Sequence, residues 1–146
     1  MSIDYSPVGK EKTTTIKLSG FSLSFGKQVF KALGDESRLR ILSLLLHREE
    51  LSITDLELIL DFTQTKVARL MGVLKNARLV ESRREDHWVL YQIKDEAIEL
   101  LNQLMGFMEK EPQVVKDKSL ADVLFSNREL SVNKLALKQY KPSFSA

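Results

Sequence analysis

The chain contains no cysteine in 146 residues. That excludes disulfides, thiolate metal sites, redox-switch thiols and a cysteine nucleophile. Long apolar runs are also missing, and none approaches the roughly 20 residues of a membrane span. Met1 to Lys12 lacks the apolar stretch that a signal peptide needs. A cytoplasmic protein without membrane contact is the expectation. The 6 glycines never gather into a phosphate-cradling loop, and the two histidines, His47 and His87, fall in different predicted elements. No catalytic constellation results, so neither an enzyme nor a cofactor is expected. What remains is 43% hydrophobic and 29% charged, enough for one modest domain with tails.

Charge is present but unevenly placed. The net charge is only +2, yet Phe62 to Arg84 holds six basic residues (Lys66, Arg69, Lys75, Arg78, Arg83, Arg84) against one acid, Glu81. Glu49 to Asp61 holds five acids and no lysine or arginine. A positive face beside an acidic one follows, and the positive one can neutralise phosphates.

Hydrophobic spacing gives the elements. Phe21, Leu23 and Phe25 alternate with Ser and Gly, which suggests an extended piece, followed by a first helix over about Lys27 to Leu33 that ends at Gly34. Asp35 can cap a second helix whose stripe of Leu39, Ile41, Leu42, Leu45 and Leu46 runs to His47. Thr54 is a candidate cap for a third helix carrying Leu56, Ile59 and Leu60; Asp61 to Thr63 is a turn, and Thr63 caps a fourth helix to Ala77. Leu79 to Arg84 and Trp88 to Ile93 read as strands joined by a tip at Glu85, Asp86 and His87. Asp95 can cap a long helix with an Ile98, Leu101, Leu104, Met105, Met108 stripe, stopped by Pro112. Ser126 to Glu129 resembles a capping box ahead of a last helix over Asn127 to Gln139.

The predicted fold is mainly α with a two-stranded β-wing, a winged helix-turn-helix. It divides into a flexible arm (1–20), a DNA-binding and dimerisation domain (21–111) and a C-terminal helical extension (112–146). Within that extension Leu120, Val123 and Leu124 form one apolar patch, and Leu130, Leu135 and Leu137 another. Their simplest burial is beside the dimerising helix, on the same or the partner subunit, with DNA contact by Lys134, Lys138 and Lys141 as the rival.

On the fourth helix Val67, Leu70, Met71 and Leu74 share the core face, at 100° per residue. Thr65, Ala68, Arg69, Gly72 and Asn76 face out. Small side chains let a helix sink into a major groove, and the arginine fork matches a guanine edge. Thr63, Gln64, Thr65 and Lys66 lie at the helix start, where anions are favoured. Lys75, Arg83, Arg84 and His87 complete the candidate DNA-binding set. Arg83 and Arg84 are strand neighbours that point to opposite faces, so one of them is expected on a phosphate. Trp88 reads as packing beneath the wing.

The stretches 30 to 42 (FKALGDESRLRIL), 63 to 69 (TQTKVAR), 74 to 80 (LKNARLV) and 83 to 91 (RREDHWVLY) closely resemble the ArsR family of winged-helix repressors. The resemblance implies a homodimer paired through the first and last helices of the winged domain. It also implies a double-stranded DNA operator and repression relieved by an inducer. Many members of that family bind soft metals through Cys-x-Cys at the start of the third helix, where this chain has Ser52-Ile53-Thr54. Others place Asp and His ligands on the dimerising helix, which here offers Asp95, Glu96 and Glu99 but no His. Hydroxyls are poor ligands for thiophilic ions, so no metal site is expected. A small-molecule inducer, a partner protein or no ligand at all each fits the sequence. The alternative to a DNA-binding regulator is a winged helix used only as a protein-interaction module.

Overall fold

Leucine and isoleucine occupy so many positions of the second helix that no single face can be its apolar side. In the computed structural model, which describes residues 22–127, that helix is covered all round. The elements run α1 (Leu23–Leu33), α2 (Glu36–Arg48), β1 (Leu51–Ser52), α3 (Ile53–Leu60), α4 (Gln64–Asn76), β2 (Val80–Glu85), β3 (Trp88–Ile93), α5 (Asp95–Gly106) and α6 (Pro112–Ser126). Helix α2 packs against α1, α4, α5, α6 and β3. Its Ile41, Leu42, Ser43, Leu44 and Leu45 are all buried, a wider band than the one-sided stripe the spacing suggested. Asp35 caps it as expected, accepting the Arg38 N–H at 3.0 Å. Arg38 then reaches back, donating from Nε to the Ala32 carbonyl at 2.6 Å, and so ties α2 to the end of α1.

The bounds of α1, α5 and α6 differ from the expectation. Leu23 and Phe25 are helical, not extended, because Ser22 accepts the Phe25 N–H at 3.0 Å and starts α1 there; Phe21 lies outside the described residues. Alternation over so few residues satisfies a helical period as well as a strand. Asp95 is the first residue of α5 and not its cap, which is Lys94 without a side-chain bond. Asp95 and Glu96 instead place negative charge in the first turn, where the helix dipole favours it. Finally, α5 ends at Gly106, and Pro112 opens α6 at its first position instead of stopping α5. Proline lacks the N–H that a first-turn residue leaves unpaired anyway, so it marks a start as readily as a stop.

The two wing strands form where expected but one residue out of the expected register. Glu85 belongs to β2 and pairs with Trp88, Val80 pairs with Ile93, and the tip is Asp86 and His87 alone, with Asp86 at φ 56° making a tighter turn than the three-residue tip the spacing suggested. A two-residue strand, too short to announce itself in sequence, adds a third member: Leu51 pairs with Tyr91 and Ser52 with Leu90, giving the order β1-β3-β2. Helix α4 closes with Arg78 at φ 61°, its N–H bonded to the Lys75 carbonyl and the Leu79 N–H to that of Leu74. That is the Schellman closure, usually made by glycine. Arg78 lies over the Phe25 ring at 5.1 Å, which ties the wing's approach to α1.

Helix α6 joins the same core. Ala121 and Leu124 are fully buried, Leu120 packs against the core and Val123 stays exposed. The surfaces it meets are mainly α2 and α3, rather than α5, beside which the patch was expected. His47 at the end of α2 lies 2.8 Å from Asp122, and Arg48 stacks on Phe125 at 4.6 Å. Ser126, expected to cap a last helix over Asn127 to Gln139, is the final residue of α6, and Asn127 is the extended C-cap of α6; the rest of the expected helix lies outside the described residues.

Replacing Leu124 by alanine should therefore cost about 2–5 kcal/mol of folding stability, as core leucines do. Urea unfolding of the whole chain measures it. A loss within experimental error would mean that α6 is not part of the cooperative core.

Candidate nucleic-acid interface

The corner between α3 and α4 is set by local chemistry. Ser52 accepts the Asp55 N–H at 3.1 Å, and Asp55 accepts the Ser52 N–H at 2.8 Å. This reciprocal box caps α3. Thr54, expected as the cap, lies inside the helix; the cap is two residues earlier, where Ser-x-x-Asp satisfies two backbone donors at once. Asp61 ends α3 in a left-handed conformation, φ 61° and ψ 43°. Phe62 buries its ring in the corner, and Thr63 starts α4 by accepting the Lys66 N–H at 3.1 Å.

Helix α4 then turns Val67, Leu70, Met71 and Leu74 inward, as its spacing predicts. Gln64, Thr65, Ala68, Arg69, Lys75 and Asn76 are exposed, as is Thr63 at its start. At Gly72 a Cβ would meet nothing within 4 Å among the described residues, so their packing does not require a glycine there. The outer face sets one arginine, Arg69, among the small side chains of Thr65 and Ala68, with Val73, also exposed, one turn on.

The basic residues of this segment differ in how far they are already engaged. Lys66 places its ammonium over the Phe62 ring at 3.9 Å, and Arg78 rests on Phe25. Lys75 reaches Ser82 on β2 at 3.4 Å, a long bond. Arg83 is held by Glu50 in a two-pronged contact of 2.7 and 2.9 Å and by Glu85 at 2.8 Å. Among the described residues, no ion pair, side-chain hydrogen bond or ring contact engages Arg69 or Arg84. Ser82 and Arg84 are two apart on β2 and share a face. Because Lys75 touches Ser82, that face is the one turned toward the end of α4. His87 is exposed at the tip, and Trp88 beside it is half-buried.

Glu50 was not legible as a member of this site. It is 33 residues from Arg83, and only the short β1 pairing brings the two together. Glu85 was legible in principle, since residues two apart on a strand lie on one face. The hydrogen bond from Arg83 holds the Glu50 carboxyl below the usual carboxylate range, against the opposing effect of burial. Arg83 is in turn pushed further up by its bonds to Glu50 and Glu85.

A three-stranded wing behind a helix-turn-helix, with the second helix exposed along a narrow polar strip, defines a winged helix-turn-helix regulator. Known proteins agree. The family described as "Bacterial regulatory protein, arsR family" matches residues 35–82. The chain is 39% identical over 66 residues to the arsenical resistance operon repressor of Escherichia coli K12, covering 45% of this chain and 56% of that one. It is 34% identical over 86 residues to the cadmium resistance transcriptional regulatory protein CadC of Listeria innocua, covering 59% of this chain and 71% of that one. Among solved structures, HlyU from Vibrio cholerae superposes with a TM-score of 0.53 at 28% identity, covering 57% of this chain and 91% of that one. The homodimeric winged helix-turn-helix DNA-binding domain of Mb0332 from Mycobacterium bovis shares the fold, with a TM-score of 0.56 at 24% identity, covering 69% of this chain and 93% of that one. The chain belongs to the arsR family of bacterial regulatory proteins. It is a transcriptional regulator of the winged helix-turn-helix class.

The Glu50–Arg83 pair has a pH signature. A lowered carboxyl contributes stability above the usual carboxylate range and loses it as pH falls through that range toward its own value. Glu50→Gln should therefore lower the melting temperature slightly near neutral pH, with the gap from the parent closing below about pH 4. Calorimetry across pH checks this, and a gap of constant size down to acid pH would contradict it.

Proposed function

We propose that the chain represses transcription in the cytoplasm as a homodimer, each subunit laying α4 into the major groove of an inverted-repeat operator. The observation that carries this reading is the exposed strip of Thr65, Ala68 and Arg69, with the half-buried Gly72 behind it, in which Arg69, like Arg84 on the wing, is left unengaged by the described residues. Arg69 is assigned to a base edge, where its fork meets guanine. Thr63, Gln64 and Thr65 at the start of α4 take phosphates through hydroxyl, amide and backbone N–H groups. Lys75 and Arg84 take phosphates from the wing side, and His87 adds charge at the tip when protonated. Arg83, already neutralised by Glu50 and Glu85, holds the wing's shape and adds little phosphate contact. Lys66 keeps its charge near the helix start while resting on Phe62.

The dimer reading is supported by apolar side chains left in water on α1 and α5. Leu23 is 94% exposed, Phe30 63% and Phe107 86%, and Ile98 is also open. Such a surface is costly in a monomer. Leu101 and Met105 do not belong to it, because they face the subunit's own core. The inducer is not a thiophilic metal: the chain has no cysteine, and Ser52 is buried and bound within its capping box.

Three single variants test the assignment by fluorescence anisotropy on a duplex enriched from a random pool. Arg69→Ala should cost about 1–3 kcal/mol and relax sequence preference. Arg84→Ala should weaken all duplexes alike and reduce the salt slope by about one unit. Arg83→Ala should leave that slope nearly unchanged. Equal slopes for Arg84→Ala and the parent, with a large change for Arg83→Ala, would reverse the wing assignment.

A further inference from the structure

We propose that Asp117, on a helix outside the winged motif, positions the start of α4 through Arg40 and Phe62. The proposal rests on α4 being the element that reads DNA. Asp117 is 1% exposed. Its two oxygens accept the Arg40 fork at 2.8 and 2.9 Å, and Gln113, one helical turn earlier on α6, donates to it at 3.0 Å. A buried carboxylate is tolerated only with such partners, so Asp117 and Arg40 are fixed relative to each other. The two-pronged bond also fixes the plane of the guanidinium.

That guanidinium lies 5.3 Å from the centre of the Phe62 ring. Phe62 is the buried residue of the α3–α4 corner, immediately before the Thr63 cap. The same ring carries the Lys66 ammonium at 3.9 Å, and Lys66 is the residue whose N–H Thr63 accepts. One aromatic ring thus serves two cations. Like charges so close repel, and the Asp117 carboxylate removes the net charge of one of them. Without Asp117, Arg40 is a bare cation competing with Lys66 for the ring, and Lys66 leaves it. The contact runs from α6, through α2, to the first turn of the recognition helix. It makes α6 a positioning element of DNA recognition although no residue of α6 belongs to the helix-turn-helix or the wing.

The test begins on the free, full-length chain. The Lys66 methylene protons next to Nζ should show an upfield ring-current shift from the Phe62 ring, 3.9 Å from Nζ, with the Arg78 protons over Phe25 as an internal reference. In Asp117→Asn the Lys66 signals should move toward their unperturbed position while those of Arg78 stay. Asp117→Ser should do the same, because it too leaves Arg40 without a carboxylate; it also serves if Asp117→Asn fails to fold. The second measurement is affinity for a duplex enriched from a random pool. Asp117→Asn should weaken binding about tenfold in the parent and less than about twofold in a Lys66→Gln background, a coupling of the size expected within a contact network. Lys66 signals that do not move in either variant, or losses that simply add, would overturn the proposal. A parent chain that binds no duplex would sink the regulatory reading, and the Lys66 signals alone would then judge the coupling.

Discussion

Everything in this molecule is arranged around the burial of α2. Ile41, Leu42, Leu44 and Leu45 have essentially no contact with water, and five other elements supply the surfaces that cover them. A helix buried on one side can rock against its support; one enclosed on every side cannot. Helix α4, the wing strand β3, helices α1 and α5, and the added α6 all take their positions from this one rod. That is why α6, absent from the winged motif itself, closes the core and is not a loose appendage.

The charges follow a different rule from the core. The basic segment looks uniform in sequence, but the fold sorts its members. Arg83 is locked to two carboxylates, Arg78 and Lys66 rest on rings, and Arg69 and Arg84 point outward with no described side chain to hold them. An engaged arginine fixes geometry, while an unengaged one is available to a phosphate or a base without first breaking a bond. Segment charge therefore overstates the number of free cations, and the wing is held in shape by some of the cations that composition alone would assign to DNA.

Much of this was legible before the structure. The apolar spacing of α2 and α4, the Asp35 and Thr63 caps and the presence of a hairpin before α5 are local properties, and local chemistry decides them. The misreadings share a cause as well. Ser22 and Ser52 were passed over as caps because a cap is defined by which backbone N–H it meets, and neighbouring Ser and Thr residues compete for the role. Pro112 could end a helix or begin one. What stayed hidden was long-range. Glu50 meets Arg83, Asp117 meets Arg40, and Phe62 gathers two cations, each only after separate elements have packed. No spacing rule within one element can announce such a meeting.

The central claim is that two copies of α4 read one duplex from the same side. Hydroxyl-radical footprinting of a duplex enriched from a random pool tests it most directly. The expected pattern is an inverted repeat, protected in two patches on one face of the DNA, with centres about one helical turn or a whole multiple apart. A single protected patch, or no duplex preferred over the starting pool, would contradict it.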